Sequence, residues 1–147
     1  VEARIEFANS AEVGLGQPLP AGIARLFSAA SGESRIFLGE DRLPATATGE
    51  RISLVTGHSF DLVAERTQTD FQKLPGQRLR YEAAFKYALR NRSSEDAEIE
   101  IRENIPGDWK LLESSQESSR PDAATLAFLV KVPAGGEVAV SYRIKVD

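Results

Sequence analysis

Between Leu79 and Leu89 every second residue is apolar or aromatic (Leu79, Tyr81, Ala83, Phe85, Tyr87, Leu89), and the residues between them are charged or alanine. Side chains that repeat every two residues share one face of an extended strand. A helix is the rival reading, since Tyr81, Phe85, Ala88 and Leu89 also form a helical stripe and YEAAFKYALR contains good helix formers. Helical spacing strands Leu79 and Tyr87 off the stripe, whereas the strand leaves out nothing large. The segment reads as a strand with one wet face and one buried face.

The same period recurs along the chain. VEARIEF alternates Val1, Ala3, Ile5 and Phe7 with charges, AEIEIRENI alternates Ala97, Ile99 and Ile101 with Glu98, Glu100 and Arg102, and TLAFLVKV and EVAVSYRIKV repeat the pattern. IARLFSA and RIFLGE flank the turn-forming ASGES, RISLVTG follows PATATGE, and PAGGE supplies glycines for a tight hairpin. DLVAERTQTDFQKL is extended in character but polar on both faces through Glu65, Arg66, Gln68 and Asp70. About nine strands and no major helix predict an all-β chain: an antiparallel two-sheet β-sandwich, immunoglobulin-like or a related Greek key. At 147 residues the chain is long enough for one self-sufficient core, so residues 1–147 are expected to form a single domain.

Apolar residues at 41% and charged residues at 27% are ordinary globular values, which exclude a disordered chain and a membrane span. With 18 basic against 22 acidic residues, a polyanion is repelled by most of the surface, and no nucleic-acid partner is expected. The nearest approach to a basic strip is Arg78, Arg80, Lys86, Arg90 and Arg92, opposed on their face only by Glu82. Cysteine is absent, which removes disulfides, thiolate metal sites and cysteine nucleophiles. Methionine is absent even at position 1, so a piece of a longer parent, processed or excised, is expected.

The succession GLGQPLPAGIARLF, FLGEDRLPATATGERISLVTGHSFDLVAERTQTDF, YEAAFKYALRNRSSEDAEIEIRENIPGDWKLLESS and FLVKVPAGGEVAVSYRIKV resembles the C-terminal domain, of unknown function, of mucoidy-inhibitor-like proteins. LPAG, GED, FD-x-x-x-ER-x-x-TD, LRN-R, PGDW and PAGGE occur in the order of that family and span nearly the whole chain. The resemblance implies a β-rich C-terminal module of a longer bacterial protein that is periplasmic, in the cell envelope or secreted. It transfers no catalytic residue, and its link to exopolysaccharide is a phenotype rather than a mechanism.

Reactive groups are scarce. His58 is the only histidine, which rules out a two-histidine metal site in this chain, and it lies in a turn-like TGHS without a G-x-S-x-G elbow. Glu40 with Asp41 and Glu65 with Asp70 are the carboxylate pairs a hydrolase would need, but residues five apart on a regular strand point to opposite faces unless a bulge intervenes. The polar stretch around Glu65, Arg66 and Asp70 has two readings: an edge strand protected by its charges, or a segment that meets a partner or ion. Calcium on Glu65, Asp70 or Asp108 would lack the usual ligand spacing, and no cofactor or metal is expected. Asn91-Arg92-Ser93 has the spacing of a glycosylation acceptor, and ESSQESSRPD reads as a flexible hairpin tip.

Trp109, the only tryptophan, follows a Pro-Gly-Asp turn and begins a strand with Leu111 in phase. It reads as a plug over one end of the core, with a sugar-stacking platform as the alternative, helped there by Asp108 or Glu103. The binding candidates are therefore Glu65, Arg66, Asp70, Asp108 and Trp109. The expected function is a non-catalytic interaction or structural module that contacts a protein partner or other domains of its parent. The alternatives are a carbohydrate-binding sandwich facing a polysaccharide and, more remotely, a carboxylate-based hydrolase.

Overall fold

The computed structural model describes residues 1–27, 36–76 and 80–147, and it is all-β with every strand pair antiparallel. There are eleven strands among the described residues, rather than about nine: β1 Glu2–Ala8, β2 Gly22–Phe27, β3 Phe37–Leu43, β4 Arg51–His58, β5 Leu62–Leu74, β6 Arg80–Asn91, β7 Ala97–Asn104, β8 Trp109–Ser114, β9 Ser119–Asp122, β10 Thr125–Val132 and β11 Glu137–Val146. The two beyond the nine runs are β8, which begins at Trp109 as its Pro-Gly-Asp turn implies, and the very short β9. The only helical element among the described residues is one 3-10 turn, Ala11–Val13, and no described helix is long and apolar enough to cross a membrane.

The chain forms two compact units, Val1–Ser59 and Phe60–Asp147. In the first, β1 pairs with β4 and β2 with β3. The hairpin expected around ASGES is present as the β2–β3 pair, and its turn lies outside the described residues. Gly39 on β3 lies so close to β4 that a Cβ there would sit 2.5 Å from the Thr56 carbonyl oxygen. Asp41, two residues on, accepts the Val55 backbone N–H at 2.8 Å and that of Arg42 at 2.7 Å. The backbone donors, led by Val55, hold its carboxyl below the ordinary aspartate range. Asn9, fully buried, takes the place of a backbone strand: its amide donates to the carbonyls of Gln17 and Ala47 and accepts the Gly16 N–H.

The second unit is sandwich-like. A four-stranded sheet, β5-β6-β11-β8, and a three-stranded sheet, β7-β10-β9, contribute to one core. β6 supplies Ala83, Phe85 and Leu89, β11 Val140, Tyr142, Ile144 and Val146, β7 Ile99 and Ile101, and β10 Leu126, Phe128, Val130 and Val132. These are the phases the alternation predicts, including the strand at β6. Phe85 and Tyr142 are cross-strand partners and stack at 5.4 Å between ring centroids.

ESSQESSRPD departs from its expected role as a hairpin tip, and so does PAGGE from its expected tight hairpin, because β10 and β11 lie in different sheets. β8 belongs to the four-stranded sheet and β9 to the three-stranded one, so the serine-rich segment carries the chain from one layer to the other. Short side chains suit such a crossing, and Ser114 closes it by bonding the Gln116 backbone.

Candidate functional site

β5 is an edge strand of the four-stranded sheet, and its register slips between Gln68 and Asp70. The bulge changes which residues share a face. Arg66 pairs with Tyr87 and Phe71 with Ala83, so both lie on the core side although they are an odd number apart. Glu65 and Asp70 lie together on the outer side, opposite Ala88 and Ala84. The bulge that convergence required exists, yet each carboxylate is taken by a different arginine: Glu65 by Arg90, and Asp70 by Arg143 at 2.8 Å.

Arg66 reaches the other layer. Its guanidinium lies 4.0 Å over the Phe85 ring and donates to both oxygens of Glu103 on β7, at 2.6 and 3.3 Å. The Tyr87 hydroxyl donates to the same carboxylate. Glu103 continues the inward phase of Ala97, Ile99 and Ile101 and pairs with Leu126, so it is an acid in a core position. Burial, then the bond to Glu103, pushes the Tyr87 phenol above its ordinary range; burial, then the Glu103 charge, does the same to Tyr142. Arg66, Glu103 and Tyr87 form an ionic clasp between the sheets, with Tyr142 beside them. Sequence reasoning singled out Arg66 but treated Glu103 only as a hydroxyl acceptor; the available signal was a glutamate in phase with the isoleucines.

Trp109 is buried at 6% exposure in the core cluster. Its indole N–H donates to the Ala123 carbonyl at 2.9 Å, and the Arg120 guanidinium covers the ring at 4.2 Å. A sugar has no open indole face to stack on. Asp108 is exposed in the preceding turn, where its carbonyl accepts the Asp147 N–H.

The other candidates have structural partners. Glu40 pairs with Arg25 across the β2–β3 hairpin, Asp41 is engaged by backbone, and His58 ends β4 exposed to solvent. Two members of the supposed basic strip are neutralised, since Arg90 meets Glu65 and Glu137 and Arg80 meets Asp147; Arg78 lies outside the described residues. No three His, Cys, Asp or Glu side chains gather as metal ligands among the described residues. Asn91 is fully buried, with its amide donating to the Glu95 and Val132 carbonyls and its oxygen accepting Ser93, so this sequon nitrogen is a structural cross-link.

Two surfaces remain with capacity for a partner. In the first unit, Ile23, Phe27, Ile36, Phe37 and Leu38 at and beside the β2–β3 hairpin are exposed by 47 to 64%, and Phe27 and Phe37 meet edge-to-face at 5.6 Å. In the second unit, the outer face of the four-stranded sheet carries a shallow depression of about 290 Å³ lined by Thr69, Ala84, Ser115, Ser141 and Arg143 among others. No protein-family model matches the chain, and neither a curated protein nor a solved structure matches it.

Proposed function

We propose that this chain is a non-catalytic interaction module of a bacterial envelope or secreted protein, docking on another protein or on another part of its own parent through the β2–β3 hairpin. The observation that carries this reading is an imbalance in the first unit. Its buried hydrophobic residues are Ile52 and Leu54 alone among those described, while Ile23, Phe27, Ile36, Phe37 and Leu38 are exposed on or beside one hairpin. Phe27 and Phe37 meet edge-to-face, with Ile36 and Leu38 next to them in the chain and Ile23 beyond the Arg25–Glu40 pair, and exposed apolar side chains gathered in this way are characteristic of a surface that a partner covers. β2 has no partner on its second edge among the described residues, so backbone groups stand beside the patch for a strand to join.

The envelope placement and the membership in mucoidy-inhibitor-like proteins rest on the ordered LPAG, GED, PGDW and PAGGE elements. A Greek-key relation for the second unit draws support from β11, which returns to lie beside β8. A non-catalytic role is favoured because the carboxylates weighed for hydrolysis are held by Arg25, Arg90, Arg143 or the backbone of Val55.

A photo-reactive amino acid placed at Ile23 or Phe37 in the full-length parent, in its own cells, tests the docking surface. One dominant cross-linked species is expected, abolished by Ile23→Asp with Phe37→Asp while circular dichroism stays unchanged. Cross-links that are diffuse, or that survive the double substitution, would overturn the reading.

A further inference from the structure

We propose that the outer face of the four-stranded sheet holds a single neutral sugar ring, in the depression between the β5 and β8 edges. This goes beyond the docking role of the hairpin, because it uses only residues of the second unit. Asp70, Ala84, Arg143 and Glu113 fall in one row across β5, β6, β11 and β8. Ser141 lies on the same face of β11, two residues before Arg143. The two middle strands thus contribute the small side chains Ala84 and Ser141 where longer ones would fill the hollow.

Both edge strands are irregular at this row. β5 slips between Gln68 and Asp70, leaving Thr69 out of register, and the β8–β11 pairing slips between Arg143 and Ile144. Bulges re-aim side chains and favour the neighbourhood of binding sites. Here they bring Thr69 from one side and Glu113 with Ser115 from the other to the same rim.

The rim offers spare hydrogen-bonding capacity of both signs. The hydroxyls of Thr69 and Ser141 and the Glu113 carboxylate have no hydrogen-bond partner among the described residues, while Ser115 Oγ accepts the Ser141 N–H at 2.9 Å and keeps its own proton to donate. Arg143 spends one nitrogen on Asp70 at 2.8 Å and retains further N–H donors. Adjacent sugar hydroxyls each donate and accept, which suits carboxylates beside a guanidinium and hydroxyls. Asp70 and Glu113 both act on Arg143, and Lys86 stands opposite Ser141 on the same face, so the charges of the site balance and offer an anion no net attraction. The volume is at the small end of ligand pockets, which selects one ring rather than a chain.

The test is amide chemical-shift titration of the isotopically labelled full chain with D-glucose, D-galactose, D-mannose and N-acetylglucosamine in turn, with D-glucuronate as the anionic comparison. At least one neutral sugar should saturably shift Thr69, Glu113, Ser115 and Ser141, with glucuronate weaker by about tenfold or more. Ala84→Leu, which fills the hollow, and Glu113→Ala, which removes the acceptor, should each weaken that binding by about tenfold while distant amides keep their positions. No saturable shift with any neutral sugar, equal binding of glucuronate, or undiminished binding in the well-folded Ala84→Leu protein would overturn the proposal.

Discussion

Replacing Trp109 with alanine removes the largest side chain from the core of the second unit. An indole buries roughly 200 Å² on folding, which at about 25 cal/mol per Å² corresponds to about 5 kcal/mol of transfer free energy at most. The loss of the indole hydrogen bond adds little, because the Ala123 carbonyl also accepts from Arg120 at 2.8 Å. Arg120 loses its contact over the ring but regains water. Partial collapse of the site brings the expected cost to about 3–5 kcal/mol. In urea titrations followed by far-ultraviolet circular dichroism, with a slope of about 2 kcal/mol per molar, the midpoint of the transition should fall by about 2 M. Trp109→Phe keeps most of the volume and leaves the Ala123 carbonyl bonded, so it should cost about 1–2 kcal/mol. A loss below about 1 kcal/mol for Trp109→Ala would refute the plug and return the indole to the list of ligand platforms.

Glu103→Gln keeps the shape of the clasp but removes its charge. It should cost about 1–2 kcal/mol by thermal or urea unfolding, and a double-mutant cycle with Arg66→Gln should show a coupling of about 1 kcal/mol or more; additivity would mean that the pair contributes nothing. Gly39→Ala forces β3 away from the Thr56 carbonyl, so faster amide exchange at Val55 and Thr56 is expected, with a stability loss of about 1–3 kcal/mol in the first unit. Arg143 beside Asp70, the Thr125 hydroxyl beside Asp122, and Arg80 beside Asp147 hold these carboxyls below their ordinary value of 3.8. Their stabilisation is complete above that value and disappears as pH falls through the lowered values, so an acid titration should show the loss below about pH 4; neutralising Arg143 and Arg80 should flatten it. At the other extreme, Tyr87 and Tyr142 favour the neutral phenol in the folded state, so stability should fall as pH rises well above 10, and ultraviolet titration should show two late tyrosines.

Alternation carried most of the second unit because its strands are half-buried in two layers, and burial on one side is what period two records. β6, β7, β10 and β11 place their inward residues where the pattern puts them. The bulge at Thr69 left no such trace: it inserts one residue into a strand that is polar on both faces, so no apolar phase exists to break. Arg66 consequently looked like half of an anomaly, when it is the β5 end of an inter-sheet ion pair whose other end, Glu103, is distant in sequence. The serine-rich crossing between β8 and β9 misled for a related reason, since composition marks a turn without saying which sheet receives the next strand. Trp109 was legible because a Pro-Gly-Asp turn fixes where its strand begins, and the in-phase Leu111 fixes which way it faces.

β11 sits in the interior of its sheet, hydrogen-bonded to β6 on one side and β8 on the other. During synthesis, therefore, β6 must wait with Phe85 and Leu89 uncovered until residues through Val146 have left the ribosome. Nearly every pairing around β11 joins segments far apart in the chain, which makes folding of this unit slow and late. The charges along β5, of which Glu65, Arg66 and Asp70 pair with Arg90, Glu103 and Arg143 once folded, spend that interval as protection: they keep the long nascent β5–β6 hairpin from recruiting the same hairpin on a neighbouring chain.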